Sequence, residues 1–171
     1  MTGLARMFFD YVVKGKHLSN DRNQKIDNIL NIKKERYDKA YMRMALEWAK
    51  LSHCKRAKVG TLIVKDDMII SDGFNGSPTG FDNDCEDCNN ETYWYVLHSE
   101  ANAILKCAKN GSSCVGATVY LTHSPCKECA KMIYQSGIIR LVYNKNYRDN
   151  EGINFLKKSG LEVIYLNDNL E

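Results

Sequence analysis

Four residues carry the types and spacing for chemistry: His98 and Glu100 in "HSEANAIL", and Cys126 and Cys129 in "SPCKECAK". The cysteines stand three apart, which on a helix sets both sulfurs on one face. Pro125 suits the first position of that helix, where its missing N–H costs nothing. The positive end of the helix lowers thiol pKa values and favours thiolate, the form a metal requires. Two sulfurs and the imidazole of His98 around zinc leave a fourth position open, as in a catalytic rather than a closed structural site. Glu100 follows His98 by two residues, a spacing that inside a regular helix points the side chains apart. They converge only if His98 stands in the turn entering the helix, so the helix is expected to begin there. Two thiolates offset the charge of the ion and weaken it as a Lewis acid. A carboxylate beside the open position then has to move the proton of water, the task of a general acid/base, and Glu100 is placed for it.

Each of these residues has a plainer use when taken alone. A glutamate at a helix start answers the helix dipole, a cysteine pair can simply be buried, and Asn-Gly at Asn75 is a turn signal tolerant of left-handed backbone. Arginines such as Arg56 and Arg148 are mostly solvated. Cys85-x-x-Cys88 adds a rival: with Cys126 and Cys129 it makes a four-cysteine structural site and hence a zinc-stabilised binding module without catalysis. Their separation exceeds the usual zinc-ribbon spacing, and that reading leaves His98 and Glu100 unexplained.

The elements that must position these residues can be read from the rest of the chain. Its 171 residues, 44% of them hydrophobic, suit one compact core. A net charge of +3, scattered among acidic residues, mildly favours an anionic ligand and decides nothing about a nucleic-acid polymer. With no secretory signal in "MTGLARMFFDYVVKGKH", the seven cysteines are expected to be reduced and the protein cytoplasmic. No apolar run approaches the roughly 18 residues of a membrane helix. Residues 1–36 show no sustained helical stripe and read as an extension of uncertain order, so the domain is expected to span 37–171. Tyr41, Met44, Ala45 and Trp48 follow helical spacing up to about Ser52. "VGTLIVK" and "MIISDGFN" read as a hairpin turning at Asp66 and Asp67, and "GFNGSPTGFDND" as a loop. A helix over 98–109 stops at Asn110-Gly111, strand "TVYLT" follows, and a helix over 126–136 stops at Gly137. Strand "IIRLVY", a helix over 150–159 and strand "LEVIYL" close the chain. Such alternation implies parallel crossovers and helices on both faces of a sheet.

The pairing of His-x-Glu with Pro-Cys-x-x-Cys resembles the signature of zinc-dependent nucleobase and nucleotide deaminases. "GFNGSP", "HSEANAIL", "KNGSS", "GATVYLTHSPCKECAKMIYQSGI" and "LVYN" narrow the resemblance to deoxycytidylate deaminases over residues 41–166. It implies a three-layer α/β/α fold of cytidine deaminase type, with a mixed five-stranded sheet and the site where two helix N-termini meet over it. It further implies zinc on His98, Cys126 and Cys129, and hydrolysis of dCMP to dUMP and ammonia by a zinc-activated water with Glu100 as proton shuttle. Asn75 matches the asparagine near the nucleoside; Arg56, Tyr147 and Arg148 match positions facing the 5′-phosphate, where guanidinium groups bind through paired charge-assisted hydrogen bonds. Relatives are hexamers, activated by dCTP and inhibited by dTTP with magnesium, and the segment Gly73, Phe74, Asn75 and Gly76 belongs to their effector site.

Two positions depart from the family pattern, which usually has Ala between the His and the Glu and a larger apolar residue after the Glu; here Ser99 and Ala101 stand there. These changes bear on packing at the helix start. The same metal core also serves tRNA adenosine deaminases and deaminases of riboflavin precursors, but "THSPC", where the tRNA enzymes usually read "LEPC", and a balanced surface favour a mononucleotide. A further possibility is a second zinc site of Cys54, Cys85 and Cys88 with His53. Cys107 and Cys114 are expected to be small core residues.

Overall fold

The computed structural model describes residues 3–167, with side chains from Arg22 onward. In chain order the elements are α1 (Gly3–Ala49), β1 (Gly60–Lys65), β2 (Met68–Phe74), α2 (Ser99–Lys109), β3 (Thr118–His123), α3 (Lys127–Gln135), β4 (Arg140–Lys145), α4 (Glu151–Lys158) and β5 (Glu162–Tyr165). The chain divides into two units, Met1–Tyr37 and Asp38–Glu171.

In the first unit, expected only as an extension of uncertain order, the backbone is helical from Gly3 onward. Every side chain from Arg22 to Arg36 is exposed, so over these residues no face is buried and the sequence carries no stripe to read. A helix already nucleated adds one hydrogen bond per residue without needing such a stripe.

The second unit begins within α1, where Met42, Ala45 and Ala49 are buried while Met44, assigned to the stripe from sequence, is 39% exposed. The segment YMRMALEWA is apolar at several helical phases, and packing against the sheet selects the one carrying Met42. Strand order is β2-β1-β3-β4-β5. β1 runs antiparallel to β2 and β3, and β3, β4 and β5 are mutually parallel, giving the mixed sheet expected. Asp66 and Asp67 both adopt positive φ, 51° and 60°, as a two-residue hairpin turn of type I′ requires.

Alternation along the strands builds the layers. Ile63, Val119, Leu121, Leu141 and Tyr143 pack on one face with Ala103 and Cys107 of α2, Ala130 and Ile133 of α3, and Ile153 and Leu156 of α4. Their neighbours Leu62, Val64, Tyr120 and Val142 point the other way, onto Met42 and Ala45 of α1. Beside that second cluster, Arg140 donates two hydrogen bonds to the Asp38 carboxylate, at 2.8 and 2.6 Å, and Tyr120 donates a third at 2.8 Å. Cys107 and Cys114 are buried in the first cluster.

The thiols are not all free: Cys54 and Cys85 form a disulfide, with Cα atoms 5.0 Å apart. It ties the segment after α1 to the loop before α2 and corrects the expectation of fully reduced cysteines. Both sulfurs are thereby consumed, and Cys88 is exposed. The second zinc site and the four-cysteine module thus lose their ligands. Among the described residues no helix is long and apolar enough to cross a membrane.

Candidate active site

Two helix starts create the site. His98 is the N-cap of α2, with extended backbone (φ −71°, ψ 154°), which lets its imidazole and the Glu100 carboxylate turn toward the same cavity. Cys126 is the N-cap of α3 (φ −68°, ψ 170°), and its sulfur accepts the backbone N–H of Cys129 at 3.5 Å. Pro125 therefore precedes the cap instead of opening the helix as expected. Its carbonyl approaches α4 so closely that a Cβ on Gly152 would lie 2.3 Å from it.

The Nδ1 atom of His98 lies 3.5 Å from the Cys126 sulfur and 3.4 Å from the Cys129 sulfur, and the three donor atoms fall within 4.8 Å of one another. Tetrahedral zinc with ordinary Zn–S and Zn–N bonds separates its nitrogen and sulfur ligands by about 3.6 Å, so the donor set fits that ion. No other group of three or more His, Cys, Asp or Glu residues converges in this way among the described residues. Burial grades across the triad, from exposed His98 through half-buried Cys126 to buried Cys129.

Without an ion between them, the two sulfurs and the imidazole share protons. The Cys126 thiol is pulled down to about 3, first by the hydrogen bond from Cys129 and then by those from His98 and the Cys129 backbone. Cys129, holding the shared proton and buried besides, is pushed up. The His98 imidazole is raised, chiefly by its hydrogen bond to Cys126. Glu100 is only 4% exposed, and burial raises its pKa from the ordinary carboxylate value.

A cavity of ≈ 350 Å³ gathers His98, Glu100 and Cys126 with Arg56, Asn75, Tyr147 and Arg148 along its walls. The seven candidates from widely separated segments thus share one hollow, and Cys129 lies behind it. Asn75 does not adopt left-handed backbone. Its amide donates to the Ala57 carbonyl at 2.8 Å and accepts the Val59 N–H at 2.8 Å, pinning the loop that carries Arg56. The Arg148 guanidinium lies 5.3 Å over the Tyr147 ring, and the Tyr147 N–H is held by Ser124 Oγ at 2.7 Å. Gly73, Phe74 and Gly76 do not line the cavity. The N–H groups of Asn75 and Gly76 are already donated to the Val59 and Leu97 carbonyls, so they do not form the phosphate nest that a glycine-rich segment suggests.

Sequence reasoning missed Glu86 and His123, both on the cavity wall. Glu86 is 7% exposed, and its carboxylate accepts the backbone N–H groups of Lys55 and Arg56 at 3.1 to 3.2 Å. No local pattern marks it, apart from its position next to Cys85, whose partner Cys54 precedes the same loop.

A mixed sheet carrying a His, Cys, Cys donor set at two helix N-termini, with a buried glutamate beside it, defines the architecture of a zinc deaminase. The family model of the cytidine and deoxycytidylate deaminase zinc-binding region matches residues 35–145. The deoxycytidylate deaminase of Enterobacteria phage T4 is 36% identical over 157 residues, covering 66% of this chain and 81% of that protein. That of Mycobacterium phage D29 is 35% identical over 124 residues, covering 64% of this chain and 94% of its own length. The crystal structure of dCMP deaminase from the cyanophage S-TIM5, in complex with dCMP and dUMP, superposes with a TM-score of 0.73 at 43% identity, over 74% of this chain and 94% of that one. The chain belongs to the cytidine and deoxycytidylate deaminase family.

Proposed function

We propose that the chain hydrolyses dCMP to dUMP and ammonia and so supplies dUMP for thymidylate synthesis, with zinc held by His98, Cys126 and Cys129. The observation that carries this reading is the convergence of that donor set and buried Glu100 on one cavity with Arg56 and Arg148 on its wall. The relatives named deoxycytidylate deaminase, and the neighbour that holds dCMP and dUMP, support the choice of substrate.

Zinc in this donor set would act as a Lewis acid on a water molecule at its open position. Glu100 is placed to take a proton from the attacking water as the oxygen bonds to C4 of the cytosine ring, and to deliver that proton to N3. It then carries the proton of the newly formed C4 hydroxyl to the exocyclic amine, and the C4–N bond breaks to release ammonia as the C4 carbonyl of uracil forms. Burial suits Glu100 to this alternation, since a carboxyl with a raised pKa is a willing acid as well as a base. Asn75 holds the loop bearing Arg56, and Arg56 with Tyr147 and Arg148 meets the 5′-phosphate, where two guanidinium groups favour a monophosphate over a free nucleoside.

Activation by dCTP and inhibition by dTTP with magnesium, a homohexameric assembly and action in the cytoplasm complete the proposal. The regulation and the assembly rest on the sequence resemblance. The decisive experiment measures ammonia release from dCMP, dCTP, deoxycytidine, CMP and a tRNA anticodon stem, with zinc counted on the same sample. Turnover of dCMP at about one zinc per chain is expected. Zinc at that level with no turnover of dCMP would overturn the assignment.

A further inference from the structure

We propose that Ser99 and Thr61 form a two-hydroxyl brace that holds the Glu100 carboxylate in its working orientation, which makes Ser99 a positioning residue for the reaction. The inference rests on the role given to Glu100 above and adds a residue that no part of that reading requires.

Ser99 Oγ donates to Glu100 Oε2 at 3.1 Å, and Thr61 Oγ1 donates to Ser99 Oγ at 2.7 Å. Both hydroxyls belong to residues with no exposure, and Glu100 is 4% exposed, so water does not compete for these bonds. The chain of donors runs one way, from the sheet through Ser99 to the carboxylate. Its anchor is rigid: Thr61 lies in β1, paired with Gly73 of β2 on one side and Leu121 of β3 on the other. The reach is short because β2 presses against the first turn of α2 at Gly73, where a Cβ would lie 2.3 Å from the Ser99 carbonyl.

Neighbouring residues on a helix ordinarily face apart. Here they meet because Ser99 and Glu100 open α2, directly after the extended backbone of His98. A proton shuttle must present one oxygen to two successive partners, and a carboxylate free to rotate about its last torsion spends much of its time misaligned. Fixing one oxygen through a buried donor preorganises the group, as outer-shell hydrogen bonds do for metal ligands and catalytic side chains. An alanine at position 99 would leave that oxygen without this donor and Thr61 Oγ1 without its acceptor.

The test compares Ser99→Ala, Thr61→Val and the double variant as zinc-loaded enzymes turning over dCMP, with zinc content and thermal unfolding recorded for each. Ser99→Ala is expected to lower kcat about tenfold with KM changed less than about twofold and zinc content unchanged. Thr61→Val should lower kcat in the same direction. The double variant should be no slower than Ser99→Ala alone, because Thr61 acts only through Ser99. Thr61→Ser, which keeps the donor, should lose less than Thr61→Val, and this comparison guards against a variant that merely folds poorly. A kcat for Ser99→Ala within twofold of the parent, a fall explained by lost zinc, or fully additive effects would overturn the brace. Glu100→Gln is the control that separates the two ideas. If it abolishes turnover while Ser99→Ala leaves kcat intact, only the brace fails; if it leaves turnover near normal, the shuttle fails and the brace with it.

Discussion

At the residue scale, the chemistry depends on how each side chain is held as much as on its type. Glu100 is buried, and its carboxyl is raised by that burial. Glu100→Gln preserves shape and the zinc ligands but cannot accept a proton, so kcat for dCMP should fall by about a thousandfold with zinc content unchanged. Metal analysis and steady-state rates on one preparation check both halves, and a near-normal rate would exclude the shuttle. Arg148 is exposed, stacks on Tyr147 and lines the same cavity. Arg148→Ala should raise KM for dCMP about tenfold and that for deoxycytidine far less, since only the nucleotide carries the phosphate. Equal effects on the two substrates would remove the phosphate role.

At the element scale, close backbone approaches decide where the helix starts sit. Gly73 of β2 lies under the first turn of α2, and a Cβ there would meet the Ser99 carbonyl at 2.3 Å and the Ala103 nitrogen at 2.8 Å. These are backbone atoms and cannot swing aside, so the two elements would have to separate. Gly73→Ala should therefore destabilise the protein by about 2 kcal/mol in urea unfolding, and lower kcat by shifting the helix that carries His98 and Glu100. A variant of parental stability and rate would show that the contact yields. "GFNG" looks from sequence like a phosphate-binding or effector loop. The sequence could not reveal that Gly73 serves packing and that the Asn75 amide pins the 57–59 backbone, because both roles depend on segments distant along the chain.

At the scale of the whole molecule, buried polar groups join the sheet to the start of the second unit. Tyr120 is held protonated, well above its ordinary range, by burial and by the hydrogen bond it donates to Asp38, which also takes two bonds from Arg140. In the unfolded chain a tyrosine ionises at about 10, so this contribution is whole below that pH and is lost as pH rises further. Thermal unfolding followed between about pH 9 and 11 should decline more steeply in the parent than in Tyr120→Phe, which removes the titrating group. Parallel curves would show that Tyr120 does not set the alkaline limit.

The sequence by itself determined the layer order and singled out the residues that converge on the cavity. His98, Glu100, Cys126 and Cys129 were legible because a donor set that could hold a metal restricts residue types and local spacing, and the strands and helices were legible because turns and caps are local. Tertiary structure alone decided the phase of α1 after Asp38, the Cys54–Cys85 disulfide and the burial of Glu86. It also turned Ser99, which in the sequence is only a departure from a family pattern, into a donor to Glu100 backed by Thr61. The physical reason is shared: a pattern along the chain records what neighbours in sequence require. Which cysteine, carboxylate or hydroxyl meets which partner depends on how sheet and helices close over one another.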